Sequence, residues 1–351
     1  MKKYTFSLIF VSILFLAFTA CQKDEADQDD PEPVPEVDNS LIIAQTDVYT
    51  YVIVSPTTGA VLSAVQPNVI SLERWTLGYH SNKAVFTSKE PGGSFVKVIY
   101  TCERATGNSL FQVTSEEDWD VSEFDVSPVA PTIVFAAQDV DMLSDDQIHR
   151  INEDGSAYQQ LTFKDEGIEC PGKIATKMVF AYEPAWSPNG AYIAFNGKLR
   201  EIDSNHPHDA IIIMDANGNN KQVVYSEPLN TINISDICWT QDGKFLVFLM
   251  GLGNEMQVKV LNVNTLGMID ITNQLTVNGS QPTSLWTSPS TNQIVFNKYE
   301  PGGGDLYLIN YLISDTEQFI VNGTWTMLAS REASGYHYGE PNWQHWPANL
   351  E

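Results

Sequence analysis

One short pattern, returned to five times, constrains this chain more than any other feature. Ala84/Phe86, Ile133/Phe135, Ile193/Phe195, Leu246/Phe248 and Ile294/Phe296 each place an apolar residue two positions before a phenylalanine, inside a run with strand-like alternation. Each run follows an aromatic residue and a turn, and those aromatics, Trp75, Phe124, Trp186, Trp239 and Trp286, lie 49, 62, 53 and 47 residues apart. The fullest copy spans 183–225. A strand carrying Trp186 ends in the turn Ser187-Pro188-Asn189-Gly190, and a second strand carries Ile193 and Phe195. A third apolar run, 211–214, ends in Asp215-Ala216-Asn217-Gly218, and a fourth short strand holds Val223 and Val224. Four short antiparallel strands cannot bury both faces of their sheet alone, so each unit needs copies on either side. Radial packing of four-stranded sheets, a β-propeller, is the architecture that supports this period.

The ends of the chain say how the ring closes. Residues 41–64 hold three strands with no aromatic first strand before them. At the other end Glu340-Pro341-Asn342-Trp343 repeats Glu183-Pro184-Ala185-Trp186, and Trp343 lies 57 residues after Trp286. The C-terminal strand is therefore expected to complete the blade begun by 41–64, giving five whole blades and one split blade. Such closure removes the free sheet edges that invite aggregation.

Pro184, Trp186, Ser187, Pro188, Asn189, Gly190 and Phe195, with Met214, Asp215, Asn217 and Gly218 in the third strand, resemble the WD40-like repeat of the TolB-type β-propellers. The resemblance covers about residues 41–346. It is strong in the third blade, good in the second and fourth, and loose in the first. It implies an all-β, six-bladed propeller. The α/β domain that precedes the propeller in TolB has no counterpart here, so the fold carries over and TolB's role in envelope constriction does not.

Before the propeller, Lys2 and Lys3 precede an apolar run from Tyr4 to Ala20 that ends at Cys21. This is the pattern of a lipoprotein signal peptide over 1–20, with Phe18 where the lipobox usually has leucine, and it predicts a diacylated Cys21 as the mature N-terminus. An uncleaved membrane anchor is the competing reading. Residues 22–40 hold eight acidic residues and one basic one and little to bury, so 21–40 reads as a disordered tether. An acidic stretch after a lipidated cysteine also resembles surface-export signals of some Gram-negative lipoproteins, though it serves equally as a plain spacer. No aspartate follows Cys21 directly, which by analogy points to the outer membrane, on its periplasmic side or at the cell surface. The expected domains are thus 1–20, 21–40 and a single propeller over 41–351, touching the membrane through its lipid alone. The net charge of −25 repels phosphate and argues against a nucleic-acid partner.

Propeller topology sorts the connections onto two faces. First-to-second and third-to-fourth strand turns share one face, and there the signals are tight: 188–190, 241–243, 153–155 and 217–218. Second-to-third and blade-to-blade connections share the other, and to it fall 136–146, 164–181, 196–209 and 322–340. Long loops on a rigid scaffold commonly carry function, so a ligand is expected on the loop face. Its candidate residues are Glu183, His206, His208, His337, Tyr338 and Glu340, each in or at the end of such a loop.

Two function classes follow. The first is a non-catalytic binding or scaffolding module for a protein or glycan, with no cofactor. The second is a polysaccharide-active enzyme. Imidazoles and carboxylates on converging loops can hold a divalent metal, and pectate-degrading lyases with related repeats use a histidine-lined metal site, although the spacing here matches no metal motif. Tyr336, Tyr338 and Trp325 are either a sugar-stacking platform or seals around the split blade. Asp139, Asp141, Asp145 and Asp146 lack the spacing of a calcium loop. With Cys21 lipidated, Cys102, Cys170 and Cys238 leave at least one free thiol in a monomer, and Cys102 and Cys238 fall in strands, as buried thiols. The sequence has no Gly-x-Ser-x-Gly elbow, phosphate loop or zinc-helix motif.

Overall fold

The computed structural model describes residues 40–45, 50–67, 74–77, 82–89, 96–115, 118–139, 145–170, 176–201, 206–226, 232–252, 255–298, 304–330, 334 and 341–345. Cys21, Tyr336, His337, Tyr338 and Glu340 lie outside them. The propeller enters through β1 (Ser40–Gln45), β2 (Tyr51–Val54) and β3 (Val61–Val65). Blade 1 is β4 (Arg74–Leu77), β5 (Lys83–Lys89), β6 (Lys97–Glu103) and β7 (Phe111–Gln112). Blade 2 is β8 (Trp119–Val126), β9 (Thr132–Asp139), β10 (Gln147–Asn152) and β11 (Gln159–Gln160). Blade 3 has a fifth strand: β12 (Gly167–Ile168) precedes β13 (Thr176–Trp186), β14 (Tyr192–Glu201), β15 (His208–Asp215) and β16 (Gln222–Ser226). Blade 4 is β17 (Ile232–Trp239), β18 (Phe245–Leu252), β19 (Glu255–Asn262) and β20 (Met268–Asp270), followed by the short helix α1 (Thr272–Leu275). Blade 5 is β21 (Pro282–Thr287), β22 (Gln293–Lys298), β23 (Leu306–Ile313) and β24 (Phe319–Ala329), and β25 (Pro341–His345) ends the described chain.

The ring closes where the chain termini predict. β25 joins β1, β2 and β3 in one sheet, pairing antiparallel with β1 from Ser40↔His345 to Ala44↔Pro341. The first strands touch one another in the cycle β4, β8, β13, β17, β21, β25 and back to β4.

Strand alternation explains why the apolar-x-Phe pattern recurs. Each blade is buried on both faces, and six apolar clusters fill the six seams between neighbouring blades. Phe86, Phe135, Phe195, Phe248 and Phe296 are fully buried, and each projects into the seam with the preceding blade. The intervening residue faces the following seam, as Ala194 does between blades 3 and 4. Burying one such phenylalanine is worth roughly 1.5–3 kcal/mol, so the repeated position holds the ring together.

The aromatics of the first strands keep no such common register. Trp186 and Trp239 pair with Ile193 and Leu246, but Trp75 and Phe124 pair with Phe86 and Phe135, and Trp286 with Val295. Their spacing in sequence aligns residues that are offset by one or two positions in the blades. The cause is local: a first strand needs apolar bulk at its seams, and several positions supply it.

The tight turns form as expected. Gly190 N–H donates to Ser187 O (2.8 Å), Ala191 N–H to Asn189 Oδ1 (3.0 Å), and Thr240-Gln241-Asp242-Gly243 repeats both bonds in blade 4. Gly190 has φ +64, and a Cβ there would lie 2.1 Å from a methyl of Val129 in the neighbouring turn, so the position accepts only glycine.

Candidate binding face

On the opposite face the connections are shorter than the sequence suggests, because strands run into them. Residues 136–139 belong to β9, 176–181 to β13, 196–201 to β14, 208–209 to β15 and 322–329 to β24. Polar residues in these stretches read as loop, yet their backbones are satisfied by ladder bonds. The extension is greatest in blade 3, where β13 and β14 have 11 and 10 residues.

Four first strands bulge at one level. The pairing slips at Val121/Glu123, Tyr182/Ala185, Ser235/Cys238 and Pro282/Ser284. Glu183 and Asp236 take left-handed backbone conformations there, with φ 53 and 52, and Pro184 has no N–H to give a ladder. The bulges turn carboxylates along the ring. Asp236 N–H donates to Glu183 Oε2 (2.5 Å), and Leu285 N–H donates to Asp236 Oδ2 (3.0 Å). Nearer the tight face, Trp186 N–H donates to Asp125 Oδ2 (2.7 Å), Trp239 Nε1–H to Ala185 O (3.1 Å), and the Thr287 hydroxyl to Trp239 O. Blades 2 to 5 are thus stitched in sequence through their inner strands. Glu183, a sequence candidate for ligand contact, holds blade 4 through its carboxylate.

Beside this stitch, blade 3 carries a polar group that the sequence analysis did not single out. The Tyr182 hydroxyl donates to Asp209 Oδ1 (2.9 Å), and Lys198 Nζ reaches Asp209 Oδ2 (2.5 Å). Asp209 is fully buried, whereas the Lys198 side chain keeps 23% of its surface. Burial first, and the Asp209 carboxylate second, push the Tyr182 phenol up, so it stays a protonated donor. On the same strand Asn196 Nδ2–H donates to Ile234 O of blade 4 (2.8 Å). A partial signal was present: Asn196 and Lys198 are polar residues two apart, directly after the buried run Ile193 to Phe195. The group presents an ammonium, neutralised by one carboxylate, with donor capacity left for an incoming acceptor.

The other candidates separate. His206 is exposed ahead of β15, while His208 is 5% exposed inside β15, opposite Leu199. Among the described residues no three His, Cys, Asp or Glu side chains gather closely enough to hold a metal. Asp145 pairs with Lys164 (2.7 Å). Trp325 is half-buried against Tyr307, ring edge to face at 5.2 Å, and its Nε1–H donates to Thr276 O (3.2 Å), so it seals a seam. Cys102, Cys170 and Cys238 are free and buried, and burial pushes the Cys102 and Cys238 thiols up to about 11 and 12.

Solved structures with this geometry exist. The putative TolB from Agrobacterium tumefaciens matches over 88% of this chain and 99% of its own, with a TM-score of 0.52 and 14% identity. TolB from Acinetobacter baumannii matches over 87% of this chain and 66% of its own, with a TM-score of 0.54 and 16% identity. The chain shares their fold, here a six-bladed β-propeller. A chain in a nidogen/laminin complex is similar too, with a TM-score of 0.56 at 9% identity, over 87% of this chain and 98% of its own. No family model matches the chain, and no curated protein does. At these identities the likeness is one of fold.

Proposed function

We propose that this chain is a non-catalytic binding propeller, tethered to the outer membrane of a Gram-negative cell by a lipid on Cys21, that engages a protein or glycan with its loop face. The observation that supports the face is the asymmetry of blade 3. Its turns on one side are closed by their own hydrogen bonds, while on the other β13 and β14 run on past the Tyr182–Asp209–Lys198 group. A rigid stitched ring carrying an extended polar edge suits recognition, because little ordering is lost on binding. The lyase reading needs His206, His208 and His337 to converge, and the burial of His208 within β15 weighs against it.

The experiment compares two sets of variants for capture of partners from detergent-solubilised envelopes and for binding on a glycan array. His206→Ala, His337→Ala and Tyr338→Ala should weaken binding at least tenfold and shift stability by no more than about 0.5 kcal/mol, as expected of residues that serve a ligand rather than the core. Asn189→Ala and Asp242→Ala, which remove turn acceptors, should cost stability and spare binding. Loss of binding from the turn set alone places the site on the wrong face here.

The tether has its own test. Replacing residues 1–21 by a cleavable secretory signal that lacks the cysteine should abolish lipidation and release the chain from the membrane fraction, since the lipid on Cys21 is its proposed attachment. A variant that stays in the membrane fraction after a high-salt wash contradicts the lipid anchor.

A further inference from the structure

A groove of about 580 Å³ lies between blades 2 and 3. One wall is β11 and the chain that follows it to Glu169, and the other is the turn from β15 to β16. The size falls within the usual range for small-molecule sites, roughly 300–1,000 Å³. Five amide side chains line it, Gln159, Gln160, Asn217, Asn219 and Asn220, beside Phe163, which is 52% exposed.

Amides at a β-turn have an ordinary explanation, and Asp215 supplies it here by accepting from Asn217 N–H, Asn219 N–H (2.9 Å each) and Asn220 Nδ2–H (3.0 Å). The facing wall has no turn to justify its two glutamines. Arg150, behind the groove, fixes both walls at once. Its Nη1 donates to Ala216 O (2.6 Å) and Asn217 Oδ1 (3.1 Å), and its Nη2 donates to Gln159 Oε1 (2.8 Å). Gln159 Nε2–H then crosses to Asn217 O (3.3 Å). Gly218, at φ +85, lets the walls close, since a Cβ there would stand 3.0 Å from Leu161 O. The groove is therefore held open and rigid before anything enters it.

The hydrogen bonds of the described residues leave Asn217 Nδ2, Gln160 Oε1 and Asn220 Oδ1 open, which makes a set of one donor and two acceptors spaced along the groove. Lys221, the one basic residue of the lining, is engaged by Glu166 Oε1 (2.9 Å) and Gly218 O (2.6 Å), Arg150 stands behind the walls with its guanidinium spent on Ala216 O, Asn217 Oδ1 and Gln159 Oε1, and Glu169 is exposed at the edge. The chain's charge of −25 repels anions. Hydroxyl groups in a row, a flat C–H face and no charge describe a neutral pyranose.

We infer that this rim groove binds a neutral oligosaccharide, with Phe163 against the C–H face of one sugar ring and the open amide atoms of Gln160, Asn217 and Asn220 on its hydroxyls. Arg150 is a positioning residue. The groove is lined by none of the loop-face candidates and stands or falls without them.

The test is calorimetric titration of the full chain in detergent with neutral hexasaccharides of β-glucose, α-glucose, xylose and mannose, set against hexagalacturonate and a lysine-rich peptide. At least one neutral hexasaccharide should bind, with Phe163→Ala weakening it tenfold or more at unchanged melting temperature and Phe163→Trp retaining it. Arg150→Lys should weaken the same sugar, and His206→Ala should not. The inference is overturned if no neutral hexasaccharide binds at millimolar concentration, or if the acidic sugar or the peptide binds more tightly. Sugar binding that His206→Ala abolishes and Phe163→Ala spares would support the loop-face reading and sink this one.

Discussion

Deleting residues 341–351 is expected to unfold the propeller as a whole rather than fray one blade. β25 is the innermost strand of the split blade, and its pairing with β1 is the only ladder that joins the C-terminal end of the described chain to its N-terminal end. Without it Ile42, Ile43 and Ala44, each no more than 1% exposed, lose their inner neighbour, and β1 becomes a bare edge. The inner strands β21 and β4, which both touch β25, lose it as well. The cost should exceed about 5 kcal/mol, beyond the range of ordinary point substitutions. At roughly 2–4 °C per kcal/mol, that lowers the calorimetric melting temperature by more than 10 °C. Removing 346–351 alone, beyond β25, should move it by no more than a few degrees. A chain without 341–351 that melts like the full one would mean that the ring closes elsewhere.

That the closure was legible in the sequence follows from what a split blade requires. Three orphan strands at one end and one spare strand at the other leave a single economical pairing, and Ile42↔Trp343 is its outcome. The buried phenylalanines were legible for a similar reason, since a residue that must fill every seam must recur. Loop extents were not. Asn196 to Glu201 are largely polar and read as a connection, but β14 continues through them, Asn196 to Leu199 pairing on both sides and Arg200 and Glu201 with β13. Nor could spacing reveal that Glu183 and Asp236 sit in bulges, because a bulge adds a residue without changing residue type. His208 was misleading in the same way: its neighbours Pro207 and Asp209 suggest a loop, and only the pairing with Leu199 puts it in a strand. The rim groove needs two blades to form, and its halves, Gln159-Gln160 and Asn217 to Lys221, lie too far apart in sequence to announce each other.

Two buried groups should give the stability of this ring opposite dependences on pH. His149 is fully buried in β10, stacked on Phe135 (5.2 Å) and close to Trp119 (4.4 Å), with Nδ1 2.8 Å from the Tyr158 hydroxyl. Burial pushes it down to about 4 from 6.5. Protonation is thus disfavoured in the folded chain, and its contribution is complete above pH 6.5 and lost as pH falls toward 4. The shift corresponds to about 3 kcal/mol. Asp125 runs the other way. Burial pushes it up to about 7 from 3.8, against the pull of the Trp186 and Val126 N–H groups. Its contribution is complete below pH 4 and lost as pH rises through 7, again by several kcal/mol. In the parent chain the two largely offset each other between pH 4 and 7. His149→Phe, which keeps the aromatic stack, should expose the Asp125 trend, so that stability falls as pH rises across that window. Asp125→Asn should cost stability through its mismatch with Trp186 N–H, yet its stability should rise with pH as His149 becomes neutral in the unfolded chain. Urea melts at pH 4, 5, 6 and 7 decide the matter. A His149→Phe variant that stays at a constant offset from the parent at all four values would show that His149 titrates alike in the folded and unfolded states.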